Sequence, residues 1–136
     1  MIPLGIKCNN LANIRFDPSN HWIGQVGSYK GFCKFKTNAF GVRALLYLLR
    51  KYRYVYGLDT IKKIISRFAP SNENDTELYI NNVSFALGVP CTHSLHLDFY
   101  SKSPFSTLYH LTSAIIKQET GYKLSHDEFL DALKLL

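Results

Sequence analysis

Phe40-Gly-Val-Arg43-Ala44-Leu45-Leu-Tyr-Leu48-Leu49-Arg50-Lys-Tyr52-Arg53-Tyr-Val-Tyr56 decides the fold class. Ala44, Leu45, Leu48, Leu49 and Tyr52 recur at steps of three and four residues, the period of one helical face. Arg43, Arg50 and Arg53 fall mostly on other faces, and Gly57 ends the stretch. Downstream the pattern repeats. Asp59 or Thr60 caps a helix carrying Ile61, Ile64, Ile65 and Phe68, closed by Pro70. Asn74 or Asp75 caps another with Tyr79, Val83, Ala86 and Leu87 on one stripe, and Gly88 sits where a left-handed residue is wanted. Residues 89–102 read as a loop. Ser103-Pro104 is expected to open a further helix through Glu119, ended by Gly121. Ser125-His-Asp-Glu128 is a capping box for a final helix with Phe129, Leu130, Leu133 and Leu136.

Upstream of Asn38 the sequence is turn-rich and strand-like. Asn13-Ile-Arg-Phe16 is a short strand candidate stopped by Asp17-Pro18. Ile23-Gly-Gln-Val26 and Gly31-Phe-Cys-Lys-Phe-Lys36 flank Gly27-Ser-Tyr-Lys30 and predict a hairpin. The expected class is α+β, mainly helical, with a small antiparallel hairpin near the N-terminus.

At 136 residues, with 46% hydrophobic and 19% charged residues, the chain fits one domain able to bury a core without metal or disulfide staples. Its formal charge of +6 directs attention to polyanionic partners: nucleic acid, anionic lipid or the acidic polymers of a bacterial wall. The cations are scattered or lie on one helix, and no run of five marks a nucleic-acid arm. Cys8, Cys33 and Cys91 make an odd count with no close pair, which predicts reduced thiols. No apolar run approaches the roughly 20 residues of a membrane span. The opening Met1-Ile-Pro-Leu-Gly5 lacks the basic and apolar regions of a secretory signal. Cytoplasmic synthesis, with delivery by phage or secretion machinery, is therefore expected.

With few acidic residues, each can be weighed. Glu119 stands near the end of an apolar helix, where the negative pole of the helix opposes ionisation and raises a carboxyl pKa. A general acid needs that direction of shift, but the residues alone favour a solvated surface glutamate. Glu73 and Asp75 lie where acidic residues commonly cap a helix, and Asp17 before Pro18 reads as a turn residue. Cys91, His93, His96 and Asp98 match no zinc spacing, so an ordinary loop is expected there and no metal or other cofactor. His21, Trp22, Tyr29 and Phe32 suit a carbohydrate-stacking wall as well as a small core.

The run Gly5-Ile-Lys-Cys-Asn9-Asn10-Leu-Ala-Asn13-Ile14-Arg15-Phe16 resembles the signature G-I-R-x-N-N-P-G-N-I-R. That signature opens a family of phage and prophage lysozyme-like proteins labelled endolysin, virion protein or structural protein. The resemblance continues through Trp22-Ile-Gly24, Phe40-Gly41, Tyr56-Gly57, Arg67-Phe68-Ala69-Pro70, Asp75-Thr76-Glu-Leu-Tyr79 and Gln118-Glu119-Thr-Gly121. Leu11-Ala12 replaces the usual Pro-Gly, and Phe68 a usual Trp. Gly5-Ile-Lys, Trp22-Ile-Gly24 and Gly31-Phe-Cys-Lys-Phe35 are also similar, more weakly, to the middle of flagellar and autolysin-type glucosaminidases. Those enzymes carry a glutamate helix at the other end of that order.

The resemblance implies a lysozyme-like domain over residues 1–136, circularly rearranged, with the C-terminal glutamate helix docked where an N-terminal one would lie. It implies a monomer cleaving the β-1,4 glycan of peptidoglycan, as a muramidase or glucosaminidase. Glu119 would be the general acid and Glu73 or Asp75 the second carboxylate. Asn10, Asn13, Arg15, Trp22 and Tyr79 would face substrate. The competing expectations are a virion or tail component that binds the wall without turnover, and a nucleic-acid-binding module supported by charge alone.

Overall fold

A computed structural model describes residues 1–72 and 74–136. Its order is α1 (Leu4–Lys7), β1 (Gln25–Tyr29), β2 (Phe32–Phe35), α2 (Asn38–Tyr54), α3 (Ile61–Phe68), α4 (Thr76–Leu87), α5 (Thr107–Thr120) and α6 (His126–Lys134). The chain is α+β and mainly helical, with one two-stranded antiparallel sheet near the N-terminus.

The helices begin and end where local chemistry satisfies their free backbone groups. Thr60 caps α3 by accepting from Lys63 N at 3.2 Å, and Asp75 caps α4 by accepting from Leu78 N at 3.1 Å. Gly88 and Gly121 follow α4 and α5 at φ 69° and 74°, the left-handed region that glycine enters without strain. Ser125 and Glu128 form the expected reciprocal box at the start of α6. The apolar stripes so aligned meet in one core. Leu45, Leu46 and Leu49 of α2 are fully buried with Ile61, Ile64 and Ile65 of α3, Leu108, Leu111, Ile115 and Ile116 of α5, and Phe129 of α6.

Three boundaries differ from the sequence reading. Helix α5 starts at Thr107, not at Ser103-Pro104, because Ser106 supplies the cap by accepting from Tyr109 N at 3.1 Å. Ser103 and Pro104 form a turn that Ser106 N closes on Ser103 O at 3.1 Å. The hairpin turns at Lys30-Gly31, with φ of 49° and 85°, so Gly27-Ser-Tyr lies inside β1 next to a bulge. A two-residue turn with both φ positive matches the right-handed twist of paired strands. The strand expected at Asn13–Phe16 is reduced to one antiparallel bridge, Arg15 to Phe32. Asn13 at φ 53° breaks the extended run on its N-terminal side.

The N-terminal arm is sewn to the hairpin by asparagines. Asn10 is fully buried. Its amide donates to Ile14 O and Cys33 O, both at 2.9 Å, and its carbonyl accepts from Ile14 N at 2.8 Å. Asn9, left-handed at φ 54°, donates to Phe35 O at 3.2 Å and Lys36 O at 3.3 Å. The arm lies so close to the helices that a Cβ on Gly41 would stand 2.2 Å from Asn9 O. Leu11 and Ala12, the departures from the signature, are buried in the core. Cys8, Cys33 and Cys91 are free thiols.

Candidate active site

Glu119 occupies the last turn of α5, beside the arm. Thr120 fixes this junction by donating from Oγ1 to Leu11 O at 2.9 Å, and Gly5 leaves the space that lets the arm approach. A Cβ on Gly5 would fall 2.3 Å from Asn13 Oδ1 and 2.8 Å from Thr120 Cγ2. Asn13 then reaches Glu119 with one amide, donating to Oε1 at 3.1 Å and to the backbone O at 3.2 Å. From the other side Tyr79 of α4, itself buried, donates its hydroxyl to Oε2 at 2.8 Å.

The carboxyl is half-buried, and burial raises its pKa above the ordinary value of 4.5. Hydrogen bonds from Tyr79 and Asn13 and the charge of Arg15 oppose that shift without cancelling it. The dominant cause is thus desolvation rather than the helix end on which the sequence reading relied. Burial beside Glu119 also raises the Tyr79 hydroxyl well above its usual range, so it stays a donor.

Glu119 forms part of the lining of a cleft of about 490 Å³. Asn13, Arg15, Asp17, Asn20 and Asn74 contribute polar groups, and Trp22, Phe32, Tyr52 and Phe68 contribute rings. Trp22 is buried in the core beneath the cleft, its backbone N–H donating to Gln25 Oε1 at 3.0 Å and its ring meeting Tyr47 edge to face at 5.5 Å. The guanidinium of Arg15 lies 5.3 Å from the centre of the Phe32 ring.

Asp17 is the residue that the sequence reading passed over. Its Oδ1 accepts from Ser19 N at 2.9 Å and from Ser19 Oγ at 2.8 Å, and these bonds lower its pKa below 3.8. Asp-Pro-Ser reads correctly as a turn, but only tertiary packing brings that turn into the cleft that Glu119 also lines. One cleft therefore holds a carboxyl displaced towards the protonated form and another displaced towards the ionised form.

The other expected residues separate. Asn13, Arg15 and Trp22 line the cleft with Glu119. Asn10, expected at substrate, is wholly buried with its amide spent on three backbone partners, so it is a structural staple. Tyr79, also expected at substrate, lies behind Glu119 as a positioning residue and is not part of the cleft lining. Asp75 is exposed, spends its carboxylate on the α4 cap and does not line the cleft. Glu73 lies outside the described residues.

Among the described residues no three His, Cys, Asp or Glu side chains form a group able to hold a metal. His93 and His96 instead line a separate depression of about 460 Å³ together with His110 and Phe105, without an acidic group. Among the described residues no helix is long and apolar enough to cross a membrane.

No family model matches the chain. Over 121 residues it is 37% identical to Protein P5 of Pseudoalteromonas phage PM2, an alignment that covers 86% of this chain and 71% of that protein. The name of that relative states no activity. The match spans most of both chains, and the phage origin expected from the N-terminal signature has a counterpart in a phage protein: the chain belongs to the family of Protein P5 of phage PM2.

Proposed function

We propose that this phage-family chain is a lysozyme-like hydrolase of the peptidoglycan glycan strand. The observation that carries the reading is the pair Glu119 and Asp17, two carboxyls in one ring-lined cleft with pKa values displaced in opposite directions. Such a division of labour is what acid-assisted glycoside cleavage needs. Glu119 keeps its proton to higher pH and gives it to the leaving glycosidic oxygen. Asp17, held ionised by Ser19, stabilises the positive charge that develops on the sugar, or takes a proton from the attacking water. On this reading Asp17 fills the role of second carboxylate that Asp75, spent on the α4 cap, does not.

Asn13 and Tyr79 fix the orientation of the acid. The half-buried Phe32 ring and the polar groups of Asn13, Asn20 and Asn74 line the cleft where a sugar would lie. On this reading one lysozyme-like domain acts as a monomer at the cell wall, delivered there by phage or secretion machinery.

The test is release of soluble muropeptides from purified Gram-negative peptidoglycan. Glu119→Gln should lower release by about 100-fold or more, and Asp17→Asn by a comparable factor. Unchanged release with Glu119→Gln removes the acid from this site. A second reading is favoured by the fact that both Glu119 oxygens already accept hydrogen bonds, which ties α4, α5 and the arm together. A wall-binding virion component built this way would sediment with peptidoglycan and release nothing from about pH 5 to about pH 8.

A further inference from the structure

We infer that the exposed end of α2 extends the cleft and holds the acidic peptide stems of the peptidoglycan strand. This rests on the reading of the cleft as a glycan site. Tyr47, Arg50, Lys51, Tyr54 and Val55 line a separate recess of about 310 Å³. The two depressions share an aromatic wall, because Trp22 lines the cleft, Tyr47 lines the recess, and their rings meet edge to face at 5.5 Å. The recess is thus next to the cleft, with the Trp22–Tyr47 pair between them.

Residues 38–58 contain four cations, Arg43, Arg50, Lys51 and Arg53, and no acidic residue. Arg43 serves the fold by donating from Nε to Leu135 O at 2.9 Å, whereas Arg50 and Lys51 line the recess. The positive field therefore stands beside the cleft, where carboxylates carried on a glycan would lie.

The recess suits this occupant better than nucleic acid or a bilayer. Arg43 and Arg50 both lie over the Tyr47 ring, at 5.9 and 5.7 Å, and Arg53 lies over Tyr54 at 5.8 Å, which leaves less ring surface for base stacking than a nucleic-acid platform presents. The two cations and two tyrosines of the lining are matched to carboxylates and their hydrogen-bonding neighbours. Val55 is the one aliphatic residue in the lining, too little apolar surface to anchor in lipid.

The test is co-sedimentation of the full chain carrying Glu119→Gln with purified sacculi, so that no strand is cut during the measurement. Adding Arg50→Glu and Lys51→Glu should weaken apparent affinity about tenfold at low salt. The same charge change at exposed Lys7 and Lys123, which line neither depression, should not. Sacculi whose stem carboxylates are amidated should bind the parent as weakly as untreated sacculi bind the reversed variant. Thermal melting of each protein controls for folding, and Arg50→Lys should retain binding. Undiminished sedimentation of the reversed variant overturns the proposal, as does indifference to amidation. Tighter binding to an oligonucleotide or to anionic vesicles than to sacculi overturns it in favour of those partners. Muropeptide release by the unsubstituted chain is read separately. A chain that binds through α2 but releases nothing refutes the hydrolase and leaves this surface assignment standing.

Discussion

The N-terminal arm and the helical body are held by different forces. In the body, α2, α3 and α5 bring fully buried Leu and Ile side chains together, so stability there follows apolar area removed from water. In the arm, order depends on side-chain amides: Asn9 and Asn10 between them make five hydrogen bonds to backbone groups. Asparagines in a surface motif invite a ligand-binding interpretation, but here two of the three are mortar. The third, Asn13, holds Glu119. The cleft lies where the two regimes meet, with a polar, rigid rim on one side and an apolar floor on the other.

The largest effect should come from Asn10→Leu. It leaves Ile14 N and Cys33 O without these partners, at about 1–3 kcal/mol each, while Ile14 O keeps the bond from Cys33 N, for a total of about 4 kcal/mol in urea unfolding. Leu49→Ala, a cavity in the body, should cost about 3 kcal/mol. If Asn10→Leu proves milder than Leu49→Ala, the arm is a tolerant appendage and the contrast between the regions fails. Hydrogen exchange sharpens the comparison. Loss of protection confined to the arm in Asn10→Leu would make it a separate cooperative unit.

Next in size is Gly41→Ala, which tests the seam. Its added methyl meets Asn9 O at 2.2 Å, and forcing arm and α2 apart should cost about 2 kcal/mol. Thermal shifts close to zero would mean that the arm moves aside freely.

The smallest effect is one of slope. The folded-state pKa of Glu119 is raised, so the stability linked to its protonation is fully present below the ordinary value of 4.5 and is lost as pH rises through the folded value. Glu119→Gln, which carries no such proton, should show a flatter profile as pH rises above the ordinary value of 4.5. Parallel profiles for the two proteins would show that the carboxyl is not desolvated.

The helical body was legible because each of its elements carries redundant signals. Stripe, cap and terminal glycine agree for α4, and stripe and capping box agree for α6. Where only one signal existed the reading slipped. Ser103-Pro104 and Ser106 are both adequate helix starts, and the choice depends on contacts the sequence does not display. Helix α1, four residues between Pro3 and Cys8, is too short for any periodicity to announce it.

At the site, Glu119 was readable from its place at the end of an apolar helix and from the flanking motif. The partition of the asparagines was not, since a buried staple and a ligand contact use the same amide in the same kind of loop. Asp17 was hidden because a turn residue becomes a cleft residue only when the arm folds back against α5. Tyr79 lies 40 positions from the carboxyl it touches, on a stripe whose pattern says core and nothing about its hydroxyl.

The clamp between Thr120 and Leu11 spans 109 positions, and the bond from Asn13 to Glu119 spans 106. On the ribosome the arm emerges first and must wait until α5 has been translated before its partner exists. A chain interrupted before residue 119 thus carries every ring of the cleft and lacks the carboxyl of Glu119. The cleft is therefore finished late in synthesis, when the carboxyl of Glu119 reaches the waiting amide of Asn13.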